Sequence, residues 1–183
     1  MKRIIFGIYL LLIATTLSAQ ELPYKSILPA PEHYSMANAT AHMVDGLGYR
    51  YYWVTEGLEE ASLSFGPEDG RTVYETMEHI QVLCSAMLKS LPKKEQVSGA
   101  EKENEEGLRA QTLKTIEAIS EKLRSLSDEE LAKVNFNGLP LWNFYKGPLA
   151  DAIYHTGQIV LMRRMAGNPI DPKVNVLMGV NRR

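Results

Sequence analysis

The sequence predicts an all-α fold, a single bundle of four long helices, and three observations carry that expectation. Apolar residues recur at intervals of three and four in four separate segments. Helix-opening pairs (Thr72 with Glu75, Ser127 with Glu130) and stop signals (Pro92, Gly167-Asn168-Pro169) frame those segments. No stretch reads as a clear strand, so helix must cover helix.

Taken in order, the chain begins with Lys2 and Arg3, an apolar run from Ile4 to Leu17, and Ser18-Ala19-Gln20. A charged start, a short apolar run and a small residue at the break are the pattern of a secretory signal peptide. The run is too short for the roughly 20 residues of a membrane span. Cleavage after Ala19 is therefore expected, giving an exported protein, periplasmic or secreted, with no stable membrane anchor. No cysteine lies near the cleavage site to carry a lipid. The expected layout is a signal peptide over 1–19, an extended lead-in over 20–36, a helical domain over 37–167 and a tail over 168–183.

The first helix is expected from about Ala37 to Leu58, with Leu47, Tyr51, Val54 and Leu58 on its buried face. Gly46 and Gly48 within it each cost roughly 1 kcal/mol relative to Ala, which suggests a close neighbour or a kink. Leu63 to Gly70 reads as a turn-rich connector. The second helix opens on the Thr72–Glu75 capping box and stops before Pro92. Its stripe is Val73, Met77, Ile80, Cys84, Met87 and Leu91. Residues 92–107 are highly charged with no apolar period, and read as a solvated, mobile loop. The third helix buries Thr112, Ile116, Ile119, Leu123 and Leu126, and a short helix follows the box at Ser127. The fourth is expected to open at Gly147-Pro148 and to end at Gly167, with Arg163 and Arg164 in its last turn.

Composition excludes several function classes. After removal of Lys2 and Arg3 the chain keeps 18 basic residues against 22 acidic ones. A mildly acidic protein without a basic stripe is a poor nucleic-acid ligand. Cys84 is the single cysteine, so an internal disulfide is impossible. There is no glycine-rich nucleotide loop and no Gly-x-Ser-x-Gly elbow. Asn38-Ala-Thr40 matches the N-glycosylation pattern, but an early helical position is a poor acceptor.

The chemistry-bearing residues gather in two stretches, Thr72 to His79 and Asp151 to Gln158. Asp151 and His155 are four apart, one above the other on a helix. With Gln158, Met162 and Met165 they form one stripe, whose apolar end directs the whole towards the core. His79 sits one position off the apolar stripe of the second helix and by itself reads as a boundary histidine, although a third histidine on another helix is able to converge with such a pair on one ion. Spacing alone equally suits a carboxylate favouring the helix dipole and a hydrogen-bonded core histidine. Gln158 is placed to orient a water or substrate, or to bond a neighbouring helix. Trp142 and Tyr145 suit an aromatic lip or a plug at the end of the core. His42, Tyr49, Arg50, Tyr52 and Trp53 form an aromatic and basic group on the first helix. One of their faces must turn towards the second and fourth helices, so Arg50 is a candidate contact for an anionic ligand. The alternative is a surface arginine covering an aromatic ring.

Glu75-Thr-Met-Glu-His79-Ile, followed by Asp151-xxx-His155-Thr-Gly-Gln158-Ile-Val and Arg163-Arg164, resembles the DinB-like family of metal-binding four-helix bundles. The resemblance covers most of residues 40–167 in helix order, and its specific part is the fourth-helix motif. It implies a ligand set of His79, Asp151 and His155, where Asp151 stands at a position the family usually fills with His. It also implies a divalent metal (zinc, nickel, manganese or iron) and hydrolysis or group transfer on a small molecule. Some relatives are thiol-dependent transferases, a use that export disfavours because low-molecular-weight thiols belong mainly to the cytosol. Two alternatives stand beside this: a non-enzymatic bundle with a degenerate, metal-free site, and a two-His-one-carboxylate iron enzyme. A homodimer is left open.

Overall fold

A computed structural model describes residues 21–92 and 104–183. The expected signal peptide and most of the expected charged loop fall outside the described residues. The fold is all-α. Four long helices, α1 (Met36–Thr55), α3 (Val73–Ser90), α4 (Glu105–Arg124) and α7 (Ala150–Met165), carry the core. Short helices α2 (Glu60–Leu63), α5 (Asp128–Ala132) and α6 (Trp142–Phe144) lie in the connections. Each of α1 and α3 packs on both α4 and α7.

Caps set several of these boundaries. Thr72 Oγ1 accepts from the Glu75 amide while the Glu75 carboxylate accepts from the Thr72 amide, and Ser127 with Glu130 repeats the arrangement. Asn104 caps α4, so that helix starts within the stretch expected to be loop. α1 ends at Thr55, short of the expected Leu58, because Gly57 follows at φ 62°, a left-handed turn that stops a helix. α7 shows a further departure. Gly147 breaks helical geometry at φ −94°, ψ −110°, and residues 145–149 form a wide π-type turn, so regular α-helix begins at Ala150 rather than at Pro148. A two-residue hairpin, β1 (Asn135–Phe136) with β2 (Leu139–Pro140), corrects the expectation of no strand. Asn137 and Gly138, at φ 53° and 83°, supply its turn, and strands this short leave no periodic signal.

The second-helix stripe from Val73 to Leu91 is buried throughout, as are Thr112, Ile116, Ile119 and Leu123 of α4. α1 is covered on more than its core side. A Cβ on Gly48 would meet the Tyr24 ring at 2.5 Å, so the glycine makes room for the lead-in, where Tyr24 itself turns at φ 74°. The Tyr24 hydroxyl donates to Asp45 at 3.3 Å. Buried Asp45 is satisfied further by Ser120 Oγ at 2.6 Å and by the Arg124 guanidinium. Tyr49 donates to Asn181 Oδ1 at 2.7 Å, and Trp53 Nε1 to the Lys25 carbonyl at 3.2 Å. The aromatic group of α1 thus serves the lead-in and the C-terminal segment. Arg163 departs from a simple last-turn cation. It is buried and donates to the carbonyls of Val54, Glu56, Gly57 and Asn168, closing the C-terminus of α1 against α7. Among the described residues no helix is long and apolar enough to cross a membrane.

Candidate metal centre

Asp151 and His155 share a face of α7 by their four-residue spacing, and α7 packs on α3, which brings His79 opposite. Asp151 lies in the first turn of α7, directly after the wide turn at 145–149, where a carboxylate also favours the helix dipole. His79 Nε2 is 3.4 Å from Asp151 Oδ2, and His155 Nε2 is 3.4 Å from Asp151 Oδ1. The two imidazoles meet edge to face, centroids 4.7 Å apart and planes at 87°. One ligand atom from each residue can be chosen so that all three lie within 4.8 Å of one another. For bond lengths of roughly 2.0–2.1 Å, the edge of a tetrahedral site is about 3.3 Å. The two nitrogen–oxygen separations match that edge, although they run to different oxygens of one carboxylate. This group could hold a metal ion.

Hydrogen-bond chemistry sharpens the point. Gln158 Oε1 lies 2.6 Å from His155 Nδ1. A carbonyl oxygen only accepts, so Nδ1 donates, and in the neutral imidazole Nε2 carries the lone pair. That lone pair faces Asp151 Oδ1. Two acceptors 3.4 Å apart repel unless a proton or a cation lies between them. Gln158 therefore fixes the histidine tautomer in the manner of a supporting contact to a metal ligand, a role different from orienting water or substrate.

Burial grades across the cluster. The His155 side chain is 9% exposed, His79 26% and Asp151 45%, so the centre is closed at His155 and open at the carboxylate. This corrects the inward stripe. The buried face of α7 is Ala152, His155, Thr156, Ile159, Met162 and Arg163, while Asp151 is half-exposed and Met165 exposed. The physical reason is that from His155 to Met165 the stripe follows the seam between α7 and the 65–72 connector, not the middle of the core, while Asp151 lies at the helix start beside His79. Along that seam the stripe lines a cavity of about 470 Å³ that includes His155, Gln158, Phe65 and Arg71.

Arg50 does not join this centre. Its guanidinium donates to the Gly46 carbonyl at 2.8 Å, and the grooves it lines hold Ile153 and Val176 rather than any of the three candidate ligands. Helical spacing gave no means of telling which side of α1 the C-terminal segment covers. Tyr145 donates to or accepts from Thr40 at 2.7 Å and packs on the core, whereas Trp142 is exposed. Cys84 is buried, and burial pushes its thiol up to about 12, so it supplies neither thiolate nucleophile nor soft ligand near neutral pH. Leu161, Met165 and Arg71, which shape the cavity, were not singled out for this by the sequence, because apolar spacing is the same for a wall and for a core.

Comparison of the chain with protein-family models, with curated proteins and with solved structures finds no match.

Proposed function

We propose that this chain is an exported, DinB-like four-helix bundle that holds a divalent metal on His79, Asp151 and His155 and uses it for hydrolysis or group transfer on a small molecule. One observation supports this above the others. The His155 Nε2 lone pair, set by the Nδ1 bond to Gln158, faces a carboxylate oxygen at 3.4 Å, an arrangement that a bound cation makes favourable. His79 adds a second imidazole from a different helix. Two nitrogens and a carboxylate oxygen with open positions are a workable donor set for zinc, nickel, manganese or iron.

An ion held there would act as a Lewis acid, polarising a carbonyl or phosphoryl oxygen or activating water near neutral pH. The chain's own contributions are distinct. Gln158 holds the His155 ring, the α7 core face shields that ring from water, and half-exposed Asp151 leaves the approach open. The ligands come from two helices far apart in sequence, so binding also ties α3 to α7. Thermal melting with zinc, manganese, nickel or iron, and with chelator, tests the reading. A ligand confined to the native state stabilises by RT ln(1 + [L]/Kd), about 2.7 kcal/mol at a hundredfold excess over Kd. Equal midpoints with every metal and with chelator would favour the non-enzymatic bundle.

A further inference from the structure

The cavity beside His155 has features that metal ligation leaves unused. Phe65 and Pro67 of the connector face Leu161, Met162 and Met165 of α7 across about 470 Å³, a volume in the range of small-molecule sites. Leu161 and Met165 are 58% and 66% exposed, so these apolar side chains border the opening without being covered by the protein. Among the described residues no acidic side chain lines the cavity, and Arg71 is the one arginine or lysine that does. Arg71 is exposed and makes no hydrogen bond or ion pair among the described residues. Glu75, whose carboxylate senses Arg71, is already held by Thr72.

The connector wall is tightly wound. A Cβ on Gly66 would lie 2.7 Å from the Arg71 carbonyl oxygen, one on Gly70 would lie 2.5 Å from the Pro67 ring, and the Val73 amide donates to the Phe65 carbonyl at 2.9 Å. A wall held this closely is preformed, which lowers the cost of ordering on binding. The opposite wall, with its two methionines, adapts to shape. Arg71 precedes the cap of α3, and His155, one of the three candidate ligands, lines the same cavity as Arg71.

We propose that this cleft is the substrate site and takes an anionic amphiphile. Its apolar body lies against Leu161, Met162 and Met165, its anionic group at Arg71, and its reacting oxygen-bearing group at the His155 side of the cavity, towards the His79–Asp151–His155 centre. The placement of the reacting group rests on the metal reading above; the recognition of body and charge does not.

Calorimetric titration of the folded protein in chelator, with decanoate, decanol, decylammonium and butyrate, tests the recognition. Decanoate binds, butyrate does not, and decylammonium binds more weakly than decanol. Met165→Glu and Leu161→Glu, both at exposed positions that tolerate a charge in the fold, abolish decanoate binding. Arg71→Gln weakens decanoate about three- to fivefold, as expected for an exposed ion pair, and leaves decanol unchanged. Absence of decanoate binding, equal binding of decanoate and decylammonium, or wild-type binding by Met165→Glu would each overturn the proposal. Zinc titration of the same proteins separates the two readings. Decanoate binding without zinc binding contradicts the metal centre alone, and zinc binding without decanoate binding contradicts the substrate class alone.

Discussion

Replacing Gln158 with Leu removes the acceptor from His155 Nδ1, a contact of 2.6 Å, at nearly unchanged side-chain size. Two consequences differ in scale. The apoprotein loses one hydrogen bond, about 0.5–1.5 kcal/mol, and its melting point moves little. The metal site loses the contact that fixes the His155 tautomer and ring orientation. Supporting contacts of this kind are worth about 10- to 100-fold in metal affinity, which is about 1.4–2.7 kcal/mol. The buried ring keeps its place, with its side chain 9% exposed, so the loss falls on affinity rather than on ligand count. Gln158→Glu retains an acceptor of the same reach and keeps the affinity within a few-fold of wild type or raises it. Competition titration with zinc against a chromophoric chelator measures all three proteins. If Gln158→Leu binds zinc as tightly as wild type, the Gln158–His155 contact has no bearing on a metal, and the assignment of Nε2 as a ligand atom loses its support.

Three further outcomes are expected. Asp151→Ala loses most metal affinity while costing about 0.3–1 kcal/mol of apoprotein stability through the helix dipole, and Asp151→His keeps zinc while shifting preference away from manganese; calorimetry with both metals checks the pair, and unchanged zinc affinity in the Ala variant removes Asp151 from the site. Arg163→Met removes the side-chain donor from the carbonyls of Val54, Glu56 and Asn168, while Gly57 keeps the Asn168 Nδ2 donor, and lowers stability by about 3 kcal/mol, roughly 6–12 °C in Tm for a domain of this size, with Arg163→Lys recovering part; a loss below about 1 kcal/mol would show that water replaces the guanidinium freely. N-terminal sequencing of protein recovered from cells starts at Gln20 or within a residue or two, whereas cytoplasmic protein retaining Met1 contradicts export.

Much of this was legible because the relevant signals are local. The Thr72–Glu75 and Ser127–Glu130 boxes mark helix starts through short-range bonds, and the Val73-to-Leu91 stripe follows from period alone. The grouping of His79 with Asp151 and His155 came from a resemblance, since nothing local links residue 79 to residue 151. What the sequence concealed depends on tertiary cover. Tyr49 bonds the C-terminal segment at Asn181 and Arg50 borders grooves shared with Val176, and no helical period encodes where that segment runs over α1. Met165 obeys core spacing yet borders an opening, because the connector at Phe65–Gly70 leaves that end of the seam uncovered. The Gly147 break displaced the start of α7 by two residues, a backbone choice that Pro148 alone did not reveal.

The central claim is one metal ion on three residues. Its most direct test is elemental analysis of the mature protein after loading with zinc and exhaustive desalting, beside a His79→Ala/His155→Ala double variant. One zinc per wild-type chain is expected and essentially none in the double variant, with both proteins folded by circular dichroism. Wild-type protein that retains no metal, or a double variant that retains as much as wild type, would contradict it.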